Sequence, residues 1–231
     1  MSRAAEELGD ELEHLHEIAG EFVPGASLGD GYRDRSFDDL SEQEIMEDWQ
    51  VPLMKAMAGH VAGRESDVLE IGFGRGVSAE WIQRAGVRSH TIVEANPACV
   101  RRFFDPWRAA HRERDIRLVE GRWQDVVDRL DRYDAVFFHA VPLDERELRE
   151  HMIESVTFAE HFFPVAAELL RPGGTFTYLT TEIDSLGREH QRSLLRWFHS
   201  VTLTVQPIEV PADTGDAWWA RTMVVLKAVK A

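Results

Sequence analysis

Cysteine is almost missing from this chain of 231 residues: Cys99 stands alone. That excludes an intrachain disulfide and any metal site built from several cysteines of one chain, and it suits a reducing, cytoplasmic compartment. Long apolar runs are missing too. Nothing approaches the roughly 20 residues of a membrane-spanning helix, and the N-terminus is acidic where a signal peptide would be basic and then apolar, so a soluble protein is expected. Positive charge is scarce, with 26 Lys and Arg against 41 Asp and Glu and a net charge of −15 at pH 7. Lacking a basic stripe with interleaved aromatics, such a chain repels phosphate backbones, which argues against nucleic acid and anionic membranes as partners. The deficit is local: the first fifty residues hold only Arg3, Arg33 and Arg35 against fifteen acidic groups.

What remains is sufficient for one domain with its own core. Apolar residues make up 44% of the chain and include seven Trp; a domain of this size buries roughly 70% of the surface its unfolded chain exposes. Leu8, Leu12, Leu15 and Ile18 form one stripe of an amphipathic helix over 4–18, and the glycines and Pro24 of 19–40 read as a loop or arm. Ser41-Glu42-Gln43-Glu44 has the form of a capping box and predicts a short helix carrying Met46, followed by a second helix from Pro52 to about Val61. From Asp67 strands and helices alternate. Strands are expected at 68–71, 90–94, 116–120, 133–140 and 175–180, with helices at 77–85, 97–110, 124–130 and about 144–170, and a turn at Arg171-Pro172-Gly173-Gly174. This alternation predicts a parallel sheet covered on both faces. The ending differs: after a helix at 186–199, the β-rich stretches 201–210 and 218–229 are too close together for a parallel crossover and must pair antiparallel.

The stretch Val68-Leu69-Glu70-Ile71-Gly72-Phe73-Gly74-Arg75-Gly76 runs from a buried strand into a glycine-rich turn and then a helix. Glycines let the backbone approach a ligand at the carboxyl end of the first strand, where doubly wound sheets bind nucleotides, although turn geometry alone also demands glycine. Glu94 ends the second strand, positioned to accept both hydrogen bonds of a ribose diol. Together they indicate a nucleoside cofactor. A dinucleotide site usually reads Gly-x-Gly-x-x-Gly, whereas Val77 occupies the third-glycine position here. The antiparallel hairpin favours S-adenosylmethionine over NAD.

The chain resembles the guanidinoacetate N-methyltransferases, from about Ile45 to Gly174 and more faintly beyond. Ile45-Met46-Glu47-Asp48-Trp49-Gln50-Val51-Pro52-Leu53-Met54 is similar to that family's Val-Met-Glu-Arg-Trp-Glu-Thr-Pro-Tyr-Met. Leu69–Gly74, Glu94-Ala95-Asn96 and Gly121-Arg122-Trp123-Gln124-Asp125-Val126 resemble its Leu-Glu-Val-Gly-Phe-Gly, Glu-Cys-Asn and Gly-Leu-Trp-Glu-Asp-Val. The resemblance implies that Met46 and Met54 line the methionine end of S-adenosylmethionine. It gives Phe73 to Ser78, including Gly74, Gly76 and Val77, the wrapping of the cofactor after Gly72. Glu94 and Asn96 take the ribose side, and Trp123 and Gln124 flank the adenine. On composition alone Met46, Met54 and Trp123 would be read as core. The fold implied is α/β: a doubly wound, Rossmann-like, seven-stranded sheet, mostly parallel, closed by the C-terminal hairpin. Residues 1–50 would form an acidic helical lid and 51–231 the methyltransferase domain.

Two departures define the chemistry. Where the family has a carboxylate after the fourth strand, in Tyr-Asp-Thr-Tyr-Pro-Leu, this chain has His139 in Phe138-His139-Ala140-Val141-Pro142-Leu143. Where the family has the Glu of Trp-Glu-Thr-Pro, this chain has Gln50. A guanidinium is a permanent planar cation matched by two carboxylates, and burying it without them costs several kcal/mol. The acceptor is therefore expected to be a small molecule with a neutral or weakly basic nitrogen, or an activated aromatic carbon such as that of indole. His139 is the candidate general base or substrate orienter, its bland alternative being a hydrogen-bonded residue at a strand end. Gln50 and Trp219, beside Trp218 in the hairpin, are candidate substrate contacts. No metal is expected, because His14 and His16 lie on different helix faces and the carboxylates Asp144, Glu145, Glu182 and Asp184 serve equally as caps or surface groups. A homodimer is compatible with the sequence. Two rivals stay open at this level: an NAD-dependent reductase, and a cofactor-binding protein of the same fold without turnover.

Overall fold

The apolar strands of the sequence become the centre of one twisted sheet. The computed structural model describes residues 40–142, 145–153, 155–212, 214 and 220–231. The expected helix at 4–18, the arm at 19–39 and Trp218 and Trp219 lie outside the described residues. Strands β1 (Asp67–Ile71), β2 (Ser89–Glu94), β3 (Ile116–Glu120), β4 (Tyr133–Phe138), β5 (Leu170–Tyr178), β6 (Ser200–Pro207) and β7 (Thr222–Val229) assemble in the order β3-β2-β1-β4-β5-β7-β6. The first five are parallel, while β7 runs antiparallel to both β5 and β6. This is the doubly wound sheet with a closing hairpin that the spacing predicts.

Alternation along the strands sorts side chains between two layers. In β4, Val136 and Phe138 face a layer built from Phe162, Phe163, Leu169 and Leu194. Ala135 and Phe137 face Leu53, Met54, Met57 and Val61 of α2 (Val51–Val61). Pro52 sits in the first turn of α2, where its missing N–H has no helical partner to lose. Before it, the Ser41 hydroxyl accepts from the Glu44 N–H and the Glu44 carboxylate accepts from the Ser41 N–H, completing the capping box of α1 (Glu42–Ile45). At the amino ends of the strands, Asp67 and Asp134 bind Arg88 and Arg171. The Arg88 guanidinium holds the Asp67 carboxyl well below the usual carboxylate range. This charged network leaves the carboxyl ends free for the site.

Three local expectations need correction. The long helix over 144–170 is broken into a short helix (Glu145–Leu148), a π-helical turn (Arg149–Ile153), a 3₁₀ segment (Phe158–Phe162) and a second helix (Phe163–Leu169). Pro164 accounts for the last of these breaks, since it removes a helical donor and fits only in the first turn of a new helix. The stretch Arg171–Gly174 does not leave the sheet but lies within β5. The Gly173 N–H donates to the Lys230 carbonyl and the Lys230 N–H to the Gly174 carbonyl, so the C-terminus holds it there. The helix expected at 186–199 is limited to Arg188–Leu194, which starts after Gly187.

Candidate active site

At the carboxyl ends of β1 to β4 lies a cavity of about 970 Å³, including space open to solvent. Its shape depends on glycines in the left-handed region. Gly72 has φ +88°, and a Cβ there would lie 2.0 Å from the carbonyl oxygen of His139. The two strand ends touch backbone to backbone, because the His139 N–H also donates to the Ile71 carbonyl at 2.9 Å. Gly76 has φ +77° and carries the Phe73 ring 2.6 Å from where its Cβ would be. That ring turns away into a cluster with Phe104 and Trp107.

Glu94 clamps this loop. Its Oε2 accepts from the N–H groups of Phe73 and Gly74 at 2.8 and 3.0 Å, and its Oε1 accepts from the Asn96 N–H at 2.7 Å. Burial raises its pKa, and these backbone donors oppose the rise. The Ala95 N–H acts on the same carboxylate, so the backbone of both strand ends is turned onto Glu94. The Asn96 side chain caps the next helix by accepting from the N–H groups of Ala98 and Cys99.

Of the residues singled out by sequence, Met46, Met54, Gly72, Phe73, Gly74, Val77, Ser78, Glu94, Asn96, Trp123, Gln124 and His139 line this one cavity. Gly76 shapes the loop without lining it. Gln50 does not line it either: its side-chain oxygen accepts from the Glu47 N–H at 3.3 Å, within the 3₁₀ turn of Asp48–Gln50. Sequence reading missed several liners, among them Glu44, Arg122, Glu147 and Phe158. Arg122 makes an ion pair with the buried Glu147 across the cavity wall. The only signal available for it was the replacement of a family leucine by arginine.

His139 sits in the wall with Ala140 and Val141 following it. Burial pushes its pKa down to about 4, so the imidazole is neutral at physiological pH, and among the described residues its ring has no hydrogen-bond partner. No group of three or more metal-ligating side chains occurs among the described residues, nor any helix long and apolar enough to cross a membrane.

A seven-stranded sheet with an antiparallel closing strand, a glycine loop and a carboxylate at the end of β2 defines a class I S-adenosylmethionine-dependent methyltransferase. The model of the guanidinoacetate N-methyltransferase family matches residues 32–204, and the chain belongs to that family. Among curated proteins it is similar to protein arginine N-methyltransferase 2 of Candida glabrata, 30% identical over 145 residues, covering 58% of this chain and 32% of the relative. It is also similar to the protein of that name from Eremothecium gossypii, 28% identical over 182 residues, covering 74% and 37%. The chain thus spans about a third of the length of these relatives. Among solved structures, precorrin-6y C5,15-methyltransferase from Geobacter metallireducens superposes with a TM-score of 0.55 at 16% identity, over 87% of this chain and all of that one, a likeness of fold. Membership of that family makes S-adenosylmethionine, and not NAD, the cofactor.

Proposed function

We propose that the protein transfers the methyl group of S-adenosylmethionine to a nitrogen, or an activated aromatic carbon, of a small acceptor that is neutral or weakly basic. The observation that carries this reading is His139: a neutral imidazole in the cavity wall where the family's carboxylate is expected. The cavity's carboxylates do not restore a guanidinium site. Glu147 is held by Arg122, and Glu94 and Glu44 by backbone donors.

The cofactor supplies an electrophilic methyl carbon on sulfur. The chain must hold the acceptor's lone pair in line with it, exclude water and take the proton that leaves. Orientation in a closed site is worth roughly 7–11 kcal/mol. His139 accepts the acceptor's proton on a ring nitrogen as the new bond to carbon forms and the sulfonium becomes a neutral thioether, S-adenosylhomocysteine. Phe158 offers an aromatic wall to a flat acceptor. The domain 51–231 is the catalytic unit in this reading, and Met46 of the segment before it lines the cavity.

The test is S-adenosylhomocysteine release over a panel of amines, indoles and an arginine-containing peptide, the last included because of the relatives' name. Turnover with a neutral acceptor, falling about 10²–10⁴-fold in His139→Ala while S-adenosylhomocysteine still binds, is expected. Turnover with the peptide and none with neutral acceptors overturns the reading; binding without any turnover marks a protein that only holds the cofactor.

A further inference from the structure

Behind the glycine loop lies a polar network that methyl transfer, as derived above, does not use. Glu70 in β1 is fully buried, and so is His90 opposite it in β2. Ser78 and Gln83, from α3 (Val77–Arg84), are 3% exposed. The Ser78 hydroxyl donates to Glu70 Oε1. Glu70 Oε2 lies 3.0 Å from His90 Nε2, although neither atom is in a well-directed hydrogen bond. His90 Nδ1 is 3.2 Å from the Gln83 side-chain nitrogen, and the Trp107 ring meets His90 edge-on.

Proton accounting fixes the direction of each contact. An amide nitrogen only donates, so with Gln83 facing Nδ1 that nitrogen accepts and the imidazole proton sits on Nε2, toward Glu70. Glu70 then accepts from Ser78 at Oε1, while its Oε2 faces the His90 Nε2 without a well-directed hydrogen bond. Its strongest donor is Ser78, and a buried carboxylate deprived of donors costs more than a neutral group. Ser78 therefore spends its only proton away from the cavity, and its oxygen has nothing left to offer a ligand but lone pairs.

We propose that Glu70, His90 and Gln83 are positioning residues that make Ser78 a fixed hydrogen-bond acceptor, and that the group it reads is the α-ammonium of the methyl donor. This rests on the cofactor placement that the family resemblance implies, with ribose at Glu94 and adenine at Trp123, which leaves the amino acid end for the loop between β1 and α3. That end carries an ammonium and a carboxylate. A freely rotating hydroxyl would serve either one; a hydroxyl locked to Glu70 serves only the ammonium.

The inference rests on donor binding and not on the acceptor or on His139. Its test uses calorimetric titration with S-adenosylhomocysteine and with the analogue whose amino group is replaced by hydrogen, neither of which can react. The wild type should prefer the amino compound by about tenfold or more, one charge-assisted hydrogen bond's worth. Ser78→Ala should remove most of that preference, and Ser78→Cys, which keeps the volume, should do the same if the alanine variant does not fold. Glu70→Gln should also remove it, because the new amide donates to Ser78 and frees the hydroxyl proton to face the carboxylate. A purely structural role would weaken both ligands equally and leave the ratio unchanged. A ratio kept in either Ser78 variant, or in a folded Glu70→Gln variant, overturns the proposal.

Discussion

The cavity has two halves made in different ways. Its cofactor half, at the ends of β1 and β2, is mostly backbone: three glycines with positive φ, N–H groups turned onto Glu94, and a strand end pressed on its neighbour. Its acceptor half, after β4, is mostly side chain: His139, Phe158, and the pair Arg122–Glu147. Backbone geometry tolerates few sequences and leaves a spacing that can be read directly. Side-chain chemistry changes with a single residue, so one family can keep its donor and change its acceptor. Substitutions should therefore divide into those that abolish donor binding and those that spare it.

The largest effect is expected at the seam between the halves. Gly72→Ala places a methyl group into the His139 carbonyl and forces a left-handed backbone on alanine, and neither strand end has room to yield. We expect a loss of about 3 kcal/mol or more, seen as a fall of roughly 6–12 °C in the thermal midpoint, with S-adenosylhomocysteine binding undetectable. A variant that melts and binds like the wild type would mean that the seam is loose.

Next comes Glu94→Gln. A glutamine oxygen can keep one or two of the backbone donors, but its NH₂ group must face the N–H of Asn96 or those of Phe73 and Gly74. A loss of about 2–3 kcal/mol in S-adenosylhomocysteine affinity, or roughly 30- to 100-fold by calorimetry, is expected. Acceptor discrimination among the remaining active molecules should not change. A shift in acceptor preference would show that the halves are coupled.

The cofactor half was legible because its features are local. Gly72, Gly74 and Gly76 follow an apolar strand at fixed spacing, and the acidic end of β2 follows a countable distance later. The strands β1 to β4 were bounded within a residue or two for the same reason, each being an apolar run between turn residues. The acceptor half was legible only at His139, as a departure from a family pattern. Arg122 and Glu147 meet across 25 positions, through a segment of broken helices that carries no periodic signal. Gln50 shows the converse: a motif position matched, but its side chain is spent on the Glu47 backbone. The Glu70–His90 pair stayed hidden because a charged residue in an apolar strand says nothing of which helix residue will meet it.

Acid should separate the halves through opposite signs of linkage. Burial lowers His139 and His161 to about 4, so between pH 6.5 and 4 the unfolded chain binds protons that the folded chain does not, and stability falls as pH falls through that window. Glu94 is raised by burial; its contribution is present below the ordinary carboxylate pKa and is lost as pH rises through the folded value. His139 alone should make the protein about 2 kcal/mol less stable to urea at pH 5 than at pH 7, and His139→Asn should remove that part of the difference. By the same neutrality, turnover should stay flat from pH 8 to pH 6, where an unperturbed histidine would already lose more than half its base form; a fall centred near 6.5 would show that burial does not lower His139 in the active molecule.

The smallest effect tests what ties the acidic N-terminal side to the cofactor half. The Arg75 Nη1 donates to the Met46 carbonyl at 2.8 Å and to Asp48 Oδ1 at 2.7 Å, while Arg102 donates to the Leu40 carbonyl at 3.0 Å. The Arg75 hydrogen bond holds the Asp48 carboxyl below its ordinary range, but Asp48 is exposed, and ion pairs of that kind contribute little. Arg75→Gln should thus speed S-adenosylhomocysteine release only about two- to fivefold in stopped-flow displacement. Salt separates the two bonds. At about 1 M, where the Debye length is about 3 Å, the wild type should lose the Asp48 part of the advantage and keep the part owed to the Met46 carbonyl. Complete convergence of the two proteins would mean that the segment is held by charge alone, and no convergence would mean that the backbone bond does all of it.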